Sequence, residues 1–123
     1  MAARACGLNC KTMELKDGPG QDLTTETGFL NAVRFVLEIK ESGLLIMAPV
    51  CSSFVFPNSS KTRRTNKTPE GDLNYPPVAA GNVMADVALF LFRLAHIRRV
   101  FAVLENPLTS FMWKQPACVA LRA

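Results

Sequence analysis

The stretch "GLLIMAPVCSSF", residues 43–54, decides how this chain is read. Apolar residues follow a glycine without a polar break, and a proline then ends the run before Cys51. A strand covered on both faces reads this way, because neither side chain direction meets water. The pattern predicts a buried strand over 44–48 that delivers a thiol to a bend lined by Ser52 and Ser53. Such a thiol is either a packing residue or a nucleophile.

Working outward, the segment before it carries a helical period. Phe29, Val33, Val36 and Leu37 share one face, and Asn31, Arg34, Glu38 and Glu41 share the other. Gly43 is expected to end that helix in the left-handed conformation that glycine adopts freely. Further upstream, "NCKTMEL" (9–15) predicts a short strand, followed by turn residues in "DGPGQDLTT". Downstream of Cys51, "SSKTRRTNKTPEGDLNYPP" shows no period and predicts a mobile basic loop over 57–77. A second helix is expected from Val83 to Arg98, with Asn82, Asp86, Arg93 and His96 on its narrow polar face. "VFAVL" (100–104) then predicts another buried strand, ending at Glu105-Asn106-Pro107.

Alternating strands and helices in a chain of 123 residues predict one α/β domain over 1–123, with parallel strands joined by crossovers. The strands over 44–48 and 100–104 should be adjacent and central. Ligands of open parallel sheets bind beyond the carboxyl ends of the strands. Glu14, Cys51 and Glu105 are each placed at such an end.

Composition narrows the function classes. Half of the residues are apolar, so the chain is not disordered, and its net charge of +4 permits an anionic partner without demanding one. "MAARACGLNCK" contains no apolar signal core, so Cys6, Cys10, Cys51 and Cys118 read as reduced thiols of an intracellular chain. One histidine and one close cysteine pair do not make a metal site. The apolar run in "VALFLFRLA" is shorter than the ~20 residues of a membrane span. A phosphatase would need an arginine shortly after Cys51, and a cysteine protease would need a histidine base better placed than His96.

A thiolate at Cys51 and a carboxyl group at Glu105 suit attack on an electrophilic ring, with Asn106 adding an amide for orientation. Here the sequence resembles the DNA cytosine-5 methyltransferases. "APVCSSF" is similar to their Pro-Cys nucleophile motif, and "FRLAHIRRVFAVLENP" to the helix and strand ending in Glu-Asn. "QDLT" (21–24) and "KTMEL" (11–15) are similar to the segments that hold the cofactor.

The resemblance implies a partial doubly wound, mostly parallel sheet of the type that uses S-adenosylmethionine. It implies Cys51 as the nucleophile on a cytosine, and Glu105 as the acid at the ring nitrogen with Asn106 beside it. Glu14 would meet the cofactor ribose and Asp22 its adenine. Ser52, Ser53, Arg63 and Arg64 would face DNA.

The chain also departs from the pattern. Val50, not proline, precedes Cys51, and the glycine-rich turn that would grip the methionine end is missing. The domain is therefore expected to be incomplete, to bind S-adenosylmethionine weakly or not at all, and to need further segments or a second chain. The alternative is a fragment or interaction module without catalysis.

Overall fold

The computed structural model describes residues 7–122. Its order of elements is helix α1 (Glu26–Glu38), strand β1 (Leu44–Met47), the single turn α2 (Ser59–Thr62), helix α3 (Pro76–Ile97), strand β2 (Phe101–Leu104) and helix α4 (Pro116–Arg122). Short 3-10 turns occupy Leu15–Asp17, Pro19–Gln21, Phe56–Asn58 and Phe111–Lys114.

The two strands run parallel and side by side, pairing Leu44 with Phe101, Leu45 with Ala102, Ile46 with Val103 and Met47 with Leu104. The fold class is α/β with a parallel sheet, and the adjacency expected from the two apolar runs is present. The expected central placement is not. Among the described residues the sheet has two strands, so each is an edge.

Burial alternates along both strands. Leu45, Met47 and Ala102 point toward α1 and α3, where Ala32, Val36, Leu91, Ala95 and Val100 form the larger core. Leu44, Ile46, Phe101 and Val103 point the other way and stay 57%, 65%, 67% and 49% exposed. The expected two-sided burial is thus corrected to one-sided burial. The sequence is apolar on both faces, but helices cover only one.

Thr25 caps α1, its hydroxyl accepting from the Gly28 amide at 3.1 Å. Gly28, Ala32 and Val36, four residues apart, form its buried stripe, while Leu37 turns outward. The helix stops at Glu38, earlier than Gly43. The left-handed residue near its end is Ser42 (φ 63°). Gly43 has a different reason to be glycine, since a Cβ there would lie 2.5 Å from Ile39 Cγ2 and 2.8 Å from the Lys40 carbonyl oxygen.

α3 begins seven residues before the expected Val83. Pro76 and Pro77 occupy its first turn, where a missing N–H leaves no bond unmade. Its 22 residues are long and apolar enough for a membrane span by length and composition. In the fold, Leu91 and Ala95 pack with α1 and the sheet, and Val87 and Leu94 join them.

Two other expectations are corrected. Residues 9–15 form no strand, and Glu14 leads into a 3-10 turn while Met13 packs against the core. Residues 57–77 contain α2 and close around a buried arginine, so they are not structureless. Cys6, one of the four thiols, lies outside the described residues.

Candidate functional site

Parallel pairing brings the carboxyl ends of β1 and β2 to the same rim. Glu105 follows β2 directly, and its amide donates to the Met47 carbonyl at 2.8 Å. Cys51 lies four residues beyond β1, half-buried, in a tight turn closed by the Phe54 amide on its own carbonyl at 2.8 Å. Asn106 ties the two exits together, its Nδ2 donating to the Pro49 carbonyl at 3.2 Å. That amide is 8% exposed, and its Oδ1 has no hydrogen-bond donor among the described residues. The Glu105 carboxylate stands exposed.

The turn carrying Cys51 is held from below. Ser53 is buried, and its carbonyl accepts from Arg64 Nε at 2.7 Å while its hydroxyl accepts from Nη2 at 3.3 Å. Arg64 also donates to the Val78 carbonyl at 3.2 Å, to Asn82 Oδ1 at 2.8 Å and to the Pro69 carbonyl. All five guanidinium N–H groups can be matched this way. The Phe54 ring lies 3.9 Å beneath. Arg64 is 1% exposed.

Arg64 is therefore corrected from a DNA-facing residue to a structural one. Burial lowers its pKa to about 10, partly countered by Glu70, and it stays charged at neutral pH. Fully desolvating a cation costs several kcal/mol, and among the described residues no carboxylate bonds to this one. Charge-assisted hydrogen bonds of about 1.5–3 kcal/mol each, with a desolvated cation–π contact of about 2, offset that cost.

The other DNA-facing candidates diverge. Arg63 is exposed in a left-handed conformation (φ 54°), and Ser52 is exposed with its carbonyl accepting from Asn58 Nδ2 at 2.6 Å. Ser52 and Ser53 line a cavity of about 190 Å³ with Lys61 and Tyr75. A broader groove of about 780 Å³ runs between the two segments that leave the strands, edged by Phe56, Ser59 and Thr65 on one side and Leu108, Thr109 and Lys114 on the other. Residues 51–69 and 106–122 contain no Asp or Glu, while they carry Lys61, Arg63, Arg64, Lys67, Lys114 and Arg122.

Glu14 and Asp22 do not assemble a cofactor cradle here. The Glu14 carboxylate pairs with Lys16 Nζ at 2.7 Å, beside a turn and not at a strand end. Asp22 Oδ1 accepts from the Thr24 hydroxyl at 2.6 Å and the Thr24 amide at 2.9 Å. Those bonds hold its carboxyl below the usual range, the hydroxyl contributing most. Ribose and adenine would have to compete with both arrangements.

Phe111 is buried, and Trp113 donates to the Pro107 carbonyl at 2.8 Å, so both pack. His96 is exposed. Sequence reasoning missed Asn82 and Gln115, whose side chains close the Arg64 network. Asn82 was visible on a polar helix stripe, but periodicity cannot tell a stripe facing water from one facing a buried cation. The chain matches no family model, no curated protein and no solved structure.

Proposed function

We propose that this chain carries the base-attacking part of a cytosine-5 methyltransferase-like domain. The observation that supports it most is the parallel register, which puts Cys51 and Glu105 on one rim with Asn106 fastened to Pro49 between the exits. A base lying between them would undergo thiolate addition: sulfur bonds to C6 of the pyrimidine and the C5–C6 double bond opens. Charge moving toward the ring nitrogen is met by a proton from the Glu105 carboxyl. The acid-free walls of the neighbouring groove suit the phosphates of DNA. The methyl donor would be S-adenosylmethionine, but Glu14 and Asp22 do not fit it as they stand, so no methyl-transfer step is assigned to this chain alone.

The test is adduct formation with an oligonucleotide containing 2-pyrimidinone, a base that traps an attacking thiolate without any methyl donor. Intact-mass analysis should show a covalent complex with the wild-type chain and none with Cys51→Ala. No adduct with wild type, or equal adduct with the variant, removes Cys51 from this role.

A second reading, an interaction module without catalysis, is favoured by one observation. The apolar outer face of the sheet (Leu44, Ile46, Phe101, Val103) is uncovered, as expected for a surface that completes itself on another chain or segment.

A further inference from the structure

We infer that Arg64 is a positioning residue that holds the Cys51 turn in register with the segment following Glu105. The inference builds on the reading of Cys51 and Glu105 as one site, but its own geometry is independent of base chemistry. On one side Arg64 grips Ser53 through both carbonyl and hydroxyl, two residues from Cys51. On the other side it shares acceptors with Gln115. The Pro69 carbonyl and Asn82 Oδ1, which accept from Arg64 Nη1, also accept from Gln115 Nε2 at 3.0 and 3.3 Å.

A second link runs through Phe54. The guanidinium covers one face of its ring, and the ring packs with Ala85, Phe111 and Met112, with Leu104 against the same cluster. Leu104 is the residue before Glu105. The Phe54 carbonyl also accepts from the Phe111 amide at 2.9 Å. The two strand exits are thus joined by one guanidinium, one aromatic ring and one backbone bond, and separately at their base by Asn106 and Pro49.

Lysine cannot replace arginine here. Its three donors point from one atom, whereas the acceptors surround a planar fork. α3 makes room for that fork at Gly81, where a Cβ would lie 3.3 Å from Arg64 Nη2 and 2.2 Å from Ser53 Oγ.

The experiment compares wild type with Arg64→Lys, Arg64→Ala and the milder Gln115→Ala. Amide hydrogen exchange is read at residues 44–47, 54, 101–104 and 111, and Cys51 alkylation by iodoacetamide is followed by peptide mass. Arg64→Ala should lose roughly tenfold or more protection at Phe54 and Phe111 while the strands stay within about twofold of wild type. Its Cys51 alkylation rate should shift by a similar factor. Gln115→Ala should move the same two amides less, and Arg64→Lys should resemble Arg64→Ala. Millimolar methylguanidinium, but not methylammonium, should restore protection and alkylation rate in Arg64→Ala.

Unchanged exchange at Phe54 and Phe111 overturns the inference. So does rescue by methylammonium, or loss of strand protection in step with the loops in both Arg64→Ala and Gln115→Ala, which would make the network a general stabiliser. Failure of the 2-pyrimidinone adduct in wild type would overturn the methyltransferase-like reading alone, since exchange and alkylation do not require a base.

Discussion

Gly81→Ala is the substitution on which the close approach of α3 to the Cys51 turn can be judged. In an ordinary helix the change stabilises, by about 1 kcal/mol, because alanine loses less backbone freedom than glycine. Here the new methyl would lie 2.2 Å from Ser53 Oγ, about 1 Å inside ordinary contact, with Arg64 Nη2 and Phe54 Cε2 each at 3.3 Å. Either α3 shifts or the Ser53 hydroxyl swings away from Arg64. Overpacking of this kind costs about 1–3 kcal/mol, and the lost hydroxyl bond adds about 1. Against the helix gain, the net expectation is about 2 kcal/mol of destabilisation, a melting temperature lower by roughly 6–10 °C.

Ser53→Ala removes the obstructing atom and leaves every other neighbour at 3.3 Å or beyond. In that background Gly81→Ala should be neutral or stabilising by up to about 1 kcal/mol, so the double-mutant cycle should show a coupling of about 2–3 kcal/mol. Urea unfolding of the four proteins measures it. Stabilisation by Gly81→Ala in the wild-type background, or simple additivity with Ser53→Ala, refutes the contact and the tight seating of the turn on α3.

Three further outcomes are expected. Replacing Ile46 and Phe101 together with threonine should reduce dye binding and self-association measured by light scattering, because these side chains lie 65% and 67% exposed on an uncovered sheet; unchanged association would place the sticky surface elsewhere. Cys51 should alkylate well before Cys118 at neutral pH, since Cys118 is 2% exposed and burial pushes its thiol up, partly countered by Arg122; equal rates on peptide mapping would contradict the packing of α4. The Asp22 carboxyl is held low by Thr24, so its stabilisation is present above the unfolded carboxylate pKa and disappears as pH falls through the lower folded value. Thr24→Val should therefore flatten the acid limb of a melting-temperature profile, and an unaltered limb would show that the Thr24 hydroxyl contributes nothing.

The parallel pair was legible because apolar runs at 44–48 and 100–104 surround a helix, a pattern with few other solutions. The same runs misled about depth. A sequence apolar at every position records that both faces avoid water, not that both are covered within the chain described. Leu44 and Leu45 are the same residue type, yet one is exposed and the other packs in the core. The strand expected at 9–15 failed for a related reason. Its short alternation does not record what the segment meets, and residues 9–15 instead pack Met13 on the core and pair Lys11 with Glu38 of α1. Helix boundaries moved where proline and glycine rules compete, as at Pro76 and Gly43.

The candidate site was legible at its tips and hidden at its foundations. Glu105 directly follows its strand and Cys51 lies four residues past its own, and where strands end can be read from apolar runs. Arg64 sits with Lys61, Arg63 and Lys67 in one basic stretch, and local sequence gives each cation the same polar character. What separates Arg64 is long-range: two glycines that admit other groups closely, Gly71 (φ 67°) and Gly81, lie seven and seventeen residues away. A Cβ at Gly71 would sit 2.8 Å from Arg64 Cγ, so both glycines leave space around one side chain. A buried guanidinium without a carboxylate needs five acceptors at fixed angles, and carbonyls of three separated segments supply most of them. Their convergence is a property of the folded chain. The unusual burial of this cation and the ordering of the thiol turn are thus two aspects of one arrangement, in which the charge is stabilised only when the turn is closed.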